Sequence, residues 1–152
     1  MNFEEFKAEI IRRAKGKYSG AFIGSLNDVI DYPSLMTVIK QEFRLLVKRQ
    51  ILDAPFIESH KTEFNAHGIF LNENVNNGFL LAENSPIVVA RGNSIVIARD
   101  SSSVVARDGS SVEAWDRSTV EARDRSSVVA WDGSSVVARD GSSVTAWDSS
   151  SV

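Results

Sequence analysis

The 152-residue chain has no cysteine, three prolines, two histidines and no lysine beyond Lys61. Without thiols there is no disulfide, no thiolate metal site and no cysteine nucleophile, and the absence leaves the redox compartment open. His60 and His67 stand seven residues apart, outside any His/Asp/Glu cluster of metal-ligand spacing. Packing or capping is therefore expected of both, with no metal and no other cofactor. No apolar run approaches a membrane span. The opening "MNFEEFKAEIIRRAK" is charged where a secretory signal needs an unbroken apolar stretch, so membrane insertion is not expected and cytoplasm is the default location. A dominant sign of charge is missing too. With 17 basic and 20 acidic side chains the net charge is -3, which argues against a nucleic-acid partner. The balance is uneven along the chain: residues 1–81 hold ten bases and ten acids, residues 82–152 seven arginines and ten acids.

The first part reads as helical. Phe3, Phe6, Ile10 and Ala14 fall on one stripe, and Asn2 with Glu5 three residues on is a capping box. Gly16 and Gly20 interrupt the pattern. A second helix is predicted from near Pro33, burying Leu35, Ile39, Phe43 and Leu46. A third follows Asp53, with Pro55 in its first turn, Phe56, Ile57 and Phe64 inward and Gly68 past its end. Three short helices need something to pack on. Lys40, Arg44 and Lys48, four apart, would line one basic helix face suited to phosphate or an acidic partner. Gln41 and Glu42 interrupt that field, so a solvated face is the stronger expectation.

After a turn-rich "NENVNNGF" (72–79), a period of eight takes over. From Ala90 the units run ARGNSIVI, ARDSSSVV, ARDGSSVE, AWDRSTVE, ARDRSSVV, AWDGSSVV, ARDGSSVT and AWDSSSV, with AENSPIVV (82–89) a degenerate forerunner. Counting alanine as position 1, Ala, Ser and Val hold positions 1, 5 and 7 almost without exception, while positions 2, 4 and 8 vary. A strand sends alternate side chains to opposite faces, so the uniform small residues should point inward around a thin core. The strand is expected from position 6 to position 2, Ser127 to Trp131 for example, and the Asp-Gly and Asp-Arg steps supply turn chemistry.

Trp115, Trp131 and Trp147 recur every 16 residues, as do Arg91, Arg107, Arg123 and Arg139. If one coil consumes two units, each tryptophan lies over a tryptophan and each arginine over an arginine, on opposite faces. A 24-residue coil would instead set Trp115 beside Arg139. The fold expected is thus mainly β: a β-solenoid with two eight-residue repeats per 16-residue coil (71–152), preceded by a small α-helical N-terminal cap (1–70). Arg99 takes the place below Trp115 in its file. Offset rings at a coil spacing of roughly 4.8 Å contribute about 0.5 to 1.5 kcal/mol per pair. The arginine file should repel modestly, relieved by Glu121 and the position-3 aspartates. Asp108, Asp124 and Asp140 form one aspartate file, and Asp100, Asp116, Asp132 and Asp148 another. Their carboxylates are expected to bond turn N–H groups; calcium ligation, known for nonapeptide repeats, is the weaker reading.

The unit A-[RW]-D-x-S-[ST]-V-x resembles the octapeptides of bacterial ice-nucleation proteins, whose units also pair into 16-residue coils. That likeness covers residues 82–152 and lacks the regular Thr-x-Thr arrays of that family. Most of the chain is similar to uncharacterised octapeptide-repeat proteins of gut bacteria and their phages, in which a helical head ending like "EFNAHGIFLNENV" leads into "AWD" repeats. This resemblance implies a β-solenoid with a helical cap and no established activity. In such proteins a non-repeat segment follows the array, whereas here the chain stops within a unit at Val152. Two alternatives follow: further residues succeed Val152, or another molecule covers the last coil. An uncovered coil invites pairing with a second chain, so homo-oligomerisation is expected.

An enzyme is not expected, because no His, Ser or carboxylate stands apart from the repeat as nucleophile and base. The first expectation is a non-catalytic structural or interaction protein that self-associates through its open C-terminal coil. The alternative is a binding module using the Trp and Arg files for a carbohydrate, acidic or protein partner, and ice binding is a remote third.

Overall fold

In the computed structural model, which describes residues 2–152, the chain divides into a helical unit, Met1–His67, and a β unit, Gly68–Val152. The first helix, α1 (Phe3–Ala14), starts at the expected capping box: Asn2 Oδ1 accepts from Glu5 N at 2.9 Å and Glu5 Oε2 from Asn2 N at 3.0 Å. It buries Phe6, Ile10 and Ala14. The glycines that interrupt the pattern do not exclude helix. Ser19 caps α2 (Gly20–Asp28), and Lys7 Nζ closes its far end on the carbonyls of Asn27 and Val29 at 2.7 and 2.9 Å.

The second expected helix is two, α3 (Tyr32–Gln41) and α4 (Phe43–Lys48), because Glu42 leaves helical geometry at φ -109°, ψ 16°. The third is likewise divided at His60 into α5 (Ala54–Ser59) and α6 (Lys61–Ala66). Pro33 and Pro55 sit in the first turns of α3 and α5, where the missing N–H costs nothing. The breaks do not disturb the buried face. Phe6 meets Tyr32, Phe56 and Phe64, each at 5.5 Å between centroids, and Leu35, Ile39, Phe43 and Leu46 are essentially fully buried.

The β unit is a parallel β-solenoid. Strands β1 (Ile69–Leu71), β3 (Phe79–Glu83), β5 (Ile95–Arg99), β7 (Ser111–Ala114), β9 (Ser127–Ala130) and β11 (Ser143–Ala146) form one sheet in that order. The other contains β2 (Val75–Asn76), β4 (Val88–Arg91), β6 (Ser103–Ala106), β8 (Thr119–Ala122) and β10 (Ser135–Ala138). Partners in the regular part are 16 residues apart, Val112 with Val128 and Val128 with Val144, so two octads complete one coil. The coils begin ahead of the regular repeat: β1 pairs with β3 at an offset of only ten residues, Ile69 with Phe79.

Parity sets the interior. Valine at position 7 and alanine at position 1 are buried from Val96 to Val136, joined by serine at position 5 from Ser94 to Ser134. From Ser94 to Ser126 each such serine donates its hydroxyl to the position-2 carbonyl, as Ser110 does to Arg107 O at 2.8 Å and Ser118 to Trp115 O at 2.7 Å, whereas Ser134 Oγ is buried without a partner. Burial of a hydroxyl in an apolar tube is tolerated because that bond satisfies it. In most regular repeats the strand ends at alanine, one residue before the expected position 2.

Candidate functional site

The side-chain files are positioned by the turns between strands. In each regular turn the residues at positions 3 and 4 both have positive φ, Asp108 at 57° and Gly109 at 83°, while Ser110 N bonds Arg107 O at 3.1 Å. That is the pattern of a type I′ turn, which explains the Asp-Gly steps. Arg117 and Arg125 occupy the glycine place at φ 62° and 65°, a conformation that costs a side-chain-bearing residue about 1 to 2 kcal/mol.

The aspartates hold these turns differently from the expectation. Their carbonyls, not their carboxylates, carry the contact: Gly109 N donates to Asp124 O at 3.0 Å and Arg117 N to Asp132 O at 3.1 Å, from one coil to the next. Aspartate suits the place because it tolerates the left-handed region. The carboxylates are thereby left pointing outward. Among the described residues no group of three His, Cys, Asp or Glu is placed to hold a metal ion.

From Arg107 onward each position-2 residue follows the last strand residue directly and is anchored by its backbone N–H on the coil below, as Trp131 N is on Ala114 O at 2.8 Å. The tryptophans stack. Trp115 and Trp131 have centroids 5.1 Å apart and planes inclined by 8°; Trp131 and Trp147 are 5.6 Å apart and inclined by 15°. Trp131 therefore has a neighbouring ring on each face, and its indole N–H is buried with no acceptor. Trp147 is 52% exposed. Arg99 continues the file below, since Ala98 pairs with Ala114, and its Nε lies 3.7 Å from Glu83 and 3.8 Å from Asp100.

Arg91, Arg107, Arg123 and Arg139 form the other file, at the ends of β4, β6, β8 and β10. Glu121 is the acid that serves it, hydrogen-bonded to Arg123 Nε at 2.6 Å and 3.9 Å from Arg139 Nε. The position-3 aspartates at this corner form no ion pair with it among the described residues, contrary to expectation. Arg107 Nε is buried without an acceptor.

In the helical unit, Lys40 lies in the last turn of α3 and is half-buried, while Arg44 and Lys48 are exposed on α4 beyond the break at Glu42. None of the three is free of interactions. His60 packs edge-on against Phe6 at 5.1 Å and Phe56 at 4.7 Å, and His67 ends α6. A shallow depression of about 250 Å³ involves Glu9, Arg13, Phe56 and His60, a grouping without a sequence motif. Its arginine is already committed. Arg13 bonds Glu9 at 2.9 Å and Asp53 at 3.3 Å, and lies 4.3 Å above the Phe56 ring. Hydrogen bonds from Arg12 and then Arg13 pull the Glu9 pKa down to about 2.

Asn72, Asn74 and Asn77 have a role that a reading as turn residues misses. Asn72 accepts from Glu83 N at 2.8 Å and donates to Glu83 O at 3.1 Å; Asn74 and Asn77 accept from the backbone N–H of Val89 and Asn93. These amides stand in for a neighbouring strand at the start of the solenoid. No helix among the described residues is long and apolar enough to cross a membrane. Comparison with known proteins finds no family model, no curated protein and no solved structure that matches the chain.

Proposed function

We propose that this protein is a non-catalytic interaction protein that associates with a second copy of itself through the edge formed by β10 and β11. Support comes from the contrast between the two ends of the sheets. Around the first strands, backbone groups are paired by asparagine amides. At the other end, among the described residues, β10 and β11 each have one strand neighbour, and a single bridge, Ser135 with Ser151, extends β10. Val144 is only partly buried, where its counterparts Val112 and Val128 are 3% and 2% exposed. A sheet edge over an apolar interior is a template for strand addition. The octad pattern also supports kinship with the octapeptide-repeat solenoids of bacteria and phages.

The tryptophan file is better suited to stiffening the array than to binding carbohydrate. Stacking on a sugar needs a free ring face, and both faces of Trp131 are covered by its neighbours. The buried serines from Ser94 to Ser126 are committed to backbone carbonyls, which leaves them poorly placed as nucleophiles.

Light scattering of the 152-residue chain across a concentration series tests this. A molar mass rising toward the dimer or beyond is expected. In about 1 M NaCl, where charge contacts are screened, V137K/T145K, which places charge beside the edge at two exposed outward positions, should return the mass to the monomer without changing the far-UV spectrum. A monomer at every concentration would contradict the proposal.

A further inference from the structure

We infer that the file Arg91, Arg107, Arg123 and Arg139 is a lateral contact surface for a second copy of this chain, whose aspartate file Asp100, Asp116, Asp132 and Asp148 it meets. The inference rests on the self-associating role proposed above but uses a different surface, along the coils instead of at their end.

Like charges stacked on adjacent strands oppose folding. Here four arginines occupy one column at a coil spacing of about 4.8 Å, with Glu121 offsetting only Arg123 and, weakly, Arg139. Arg91 and Arg107 have no ion pair among the described residues, and Arg107 Nε lacks any acceptor. The other position-2 column holds three tryptophans above Arg99, so the coil geometry does not itself demand arginine.

The spacing discriminates among anionic partners. Acidic side chains on one face of an extended strand recur at about 6.6 Å, and the phosphates of one strand of duplex DNA wind around the helix with an axial rise of about 3.4 Å. A neighbouring solenoid recurs at the same interval by construction. This chain carries such a carboxylate file: Asp100, Asp116, Asp132 and Asp148 are also 16 residues apart, also four in number, and all exposed. They lie at the opposite corner, so one copy can present arginines to the aspartates of the next.

The surrounding charge agrees in sign. Around the arginine corner five arginines, Arg125 included, face four acids; around the tryptophan corner Arg99 and Arg117 face six acids, Glu83 and Glu113 included. The long guanidinium arms outreach the short aspartates of their own corner and form bidentate bonds with a facing carboxylate. Because the two surfaces differ, the contact is heterologous and extends into rows of molecules instead of closing at a dimer.

Charge reversal decides the matter. For the intact chain, light scattering at about 20 mM NaCl should show assemblies larger than those that remain at about 1 M, where the screening length shrinks to about 3 Å. R91E/R107E and D116K/D132K should each weaken association at least about ten-fold at low salt. An equimolar mixture should regain it, since each variant then offers the sign the other needs. V137K/T145K should leave this salt-sensitive association intact, which separates it from edge pairing. Association unaffected by salt, or folded charge-reversal variants that assemble like the wild type or fail to recover on mixing, would overturn the inference. Should D116K/D132K not fold by far-UV circular dichroism, D116N/D132N and R91Q/R107Q take its place, and undiminished assembly of both would overturn it equally.

Discussion

Replacing Trp131 with alanine should destabilise the array more than replacing Trp147, and the reason is geometric. Trp131 contacts a ring on each side, at 5.1 and 5.6 Å, whereas Trp147 has one ring neighbour and is half exposed. At about 0.5 to 1.5 kcal/mol per ring pair, W131A forfeits about 1 to 3 kcal/mol from stacking alone and W147A about half as much. The pairs that touch should also be the pairs that couple. A double-mutant cycle should give about 0.5 to 1.5 kcal/mol between Trp131 and Trp147, and no more than about 0.5 kcal/mol between Trp115 and Trp147, which are two coils apart. Urea unfolding followed by far-UV circular dichroism is the suitable assay, since fluorescence would lose its reporters. Equal losses for W131A and W147A, or a Trp115–Trp147 coupling as large as that of the adjacent pair, would refute the ladder as a stabilising element.

Other substitutions probe the turns, the interior and the helical unit. Gly92→Ala should lower stability by about 1 to 3 kcal/mol in the same urea assay. Its backbone is at φ 65°, and a Cβ there would sit 2.1 Å from Asn77 Oδ1, the acceptor for Asn93 N. Arg117→Gly should raise stability by about 0.5 to 1 kcal/mol, because the relief of the left-handed strain exceeds the added chain entropy. Ser118→Ala should cost about 0.5 to 1.5 kcal/mol through the lost bond to Trp115 O, and an unchanged midpoint would remove the serine file from the account. Glu9 has a folded pKa depressed to about 2 from an ordinary 4.5, so its contribution is present above pH 4.5 and lost as pH falls toward 2. E9Q should therefore flatten the acid limb of stability in that window, measured by thermal melting between pH 2 and 5.

The solenoid was legible because its interior tolerates so little variation. Ala, Ser and Val recur at positions 1, 5 and 7 since only small side chains fit between two closely apposed sheets, and the 16-residue interval of Trp115, Trp131 and Trp147 exposes the coil length. The aspartates were misread because sequence pattern cannot separate a side-chain bond from a backbone preference. Asp108 is present for its positive φ, and its carboxylate is incidental to the turn. Helix α2 was missed because Gly20 and Gly24 lower its propensity, while Ser19 and the reach of Lys7, from 20 residues upstream, supply caps that propensity does not reveal. The breaks at Glu42 and His60 lie inside continuous apolar stripes, so the pattern passes over them. Asn72, Asn74 and Asn77 looked like turn residues; their pairing with backbone up to 16 residues away is a tertiary property.

The coil length can be measured directly, since the chain has no cysteine to interfere with labelling. Spin labels on S111C/S127C sit on paired residues of β7 and β9, whereas S111C/S135C places them 24 residues apart and on different sheets. Strong dipolar broadening of the continuous-wave spectrum for the first pair, and its absence for the second, is the outcome a two-octad coil requires. Broadening confined to the 24-residue pair would mean three octads per coil and would contradict the stacked tryptophan and arginine files.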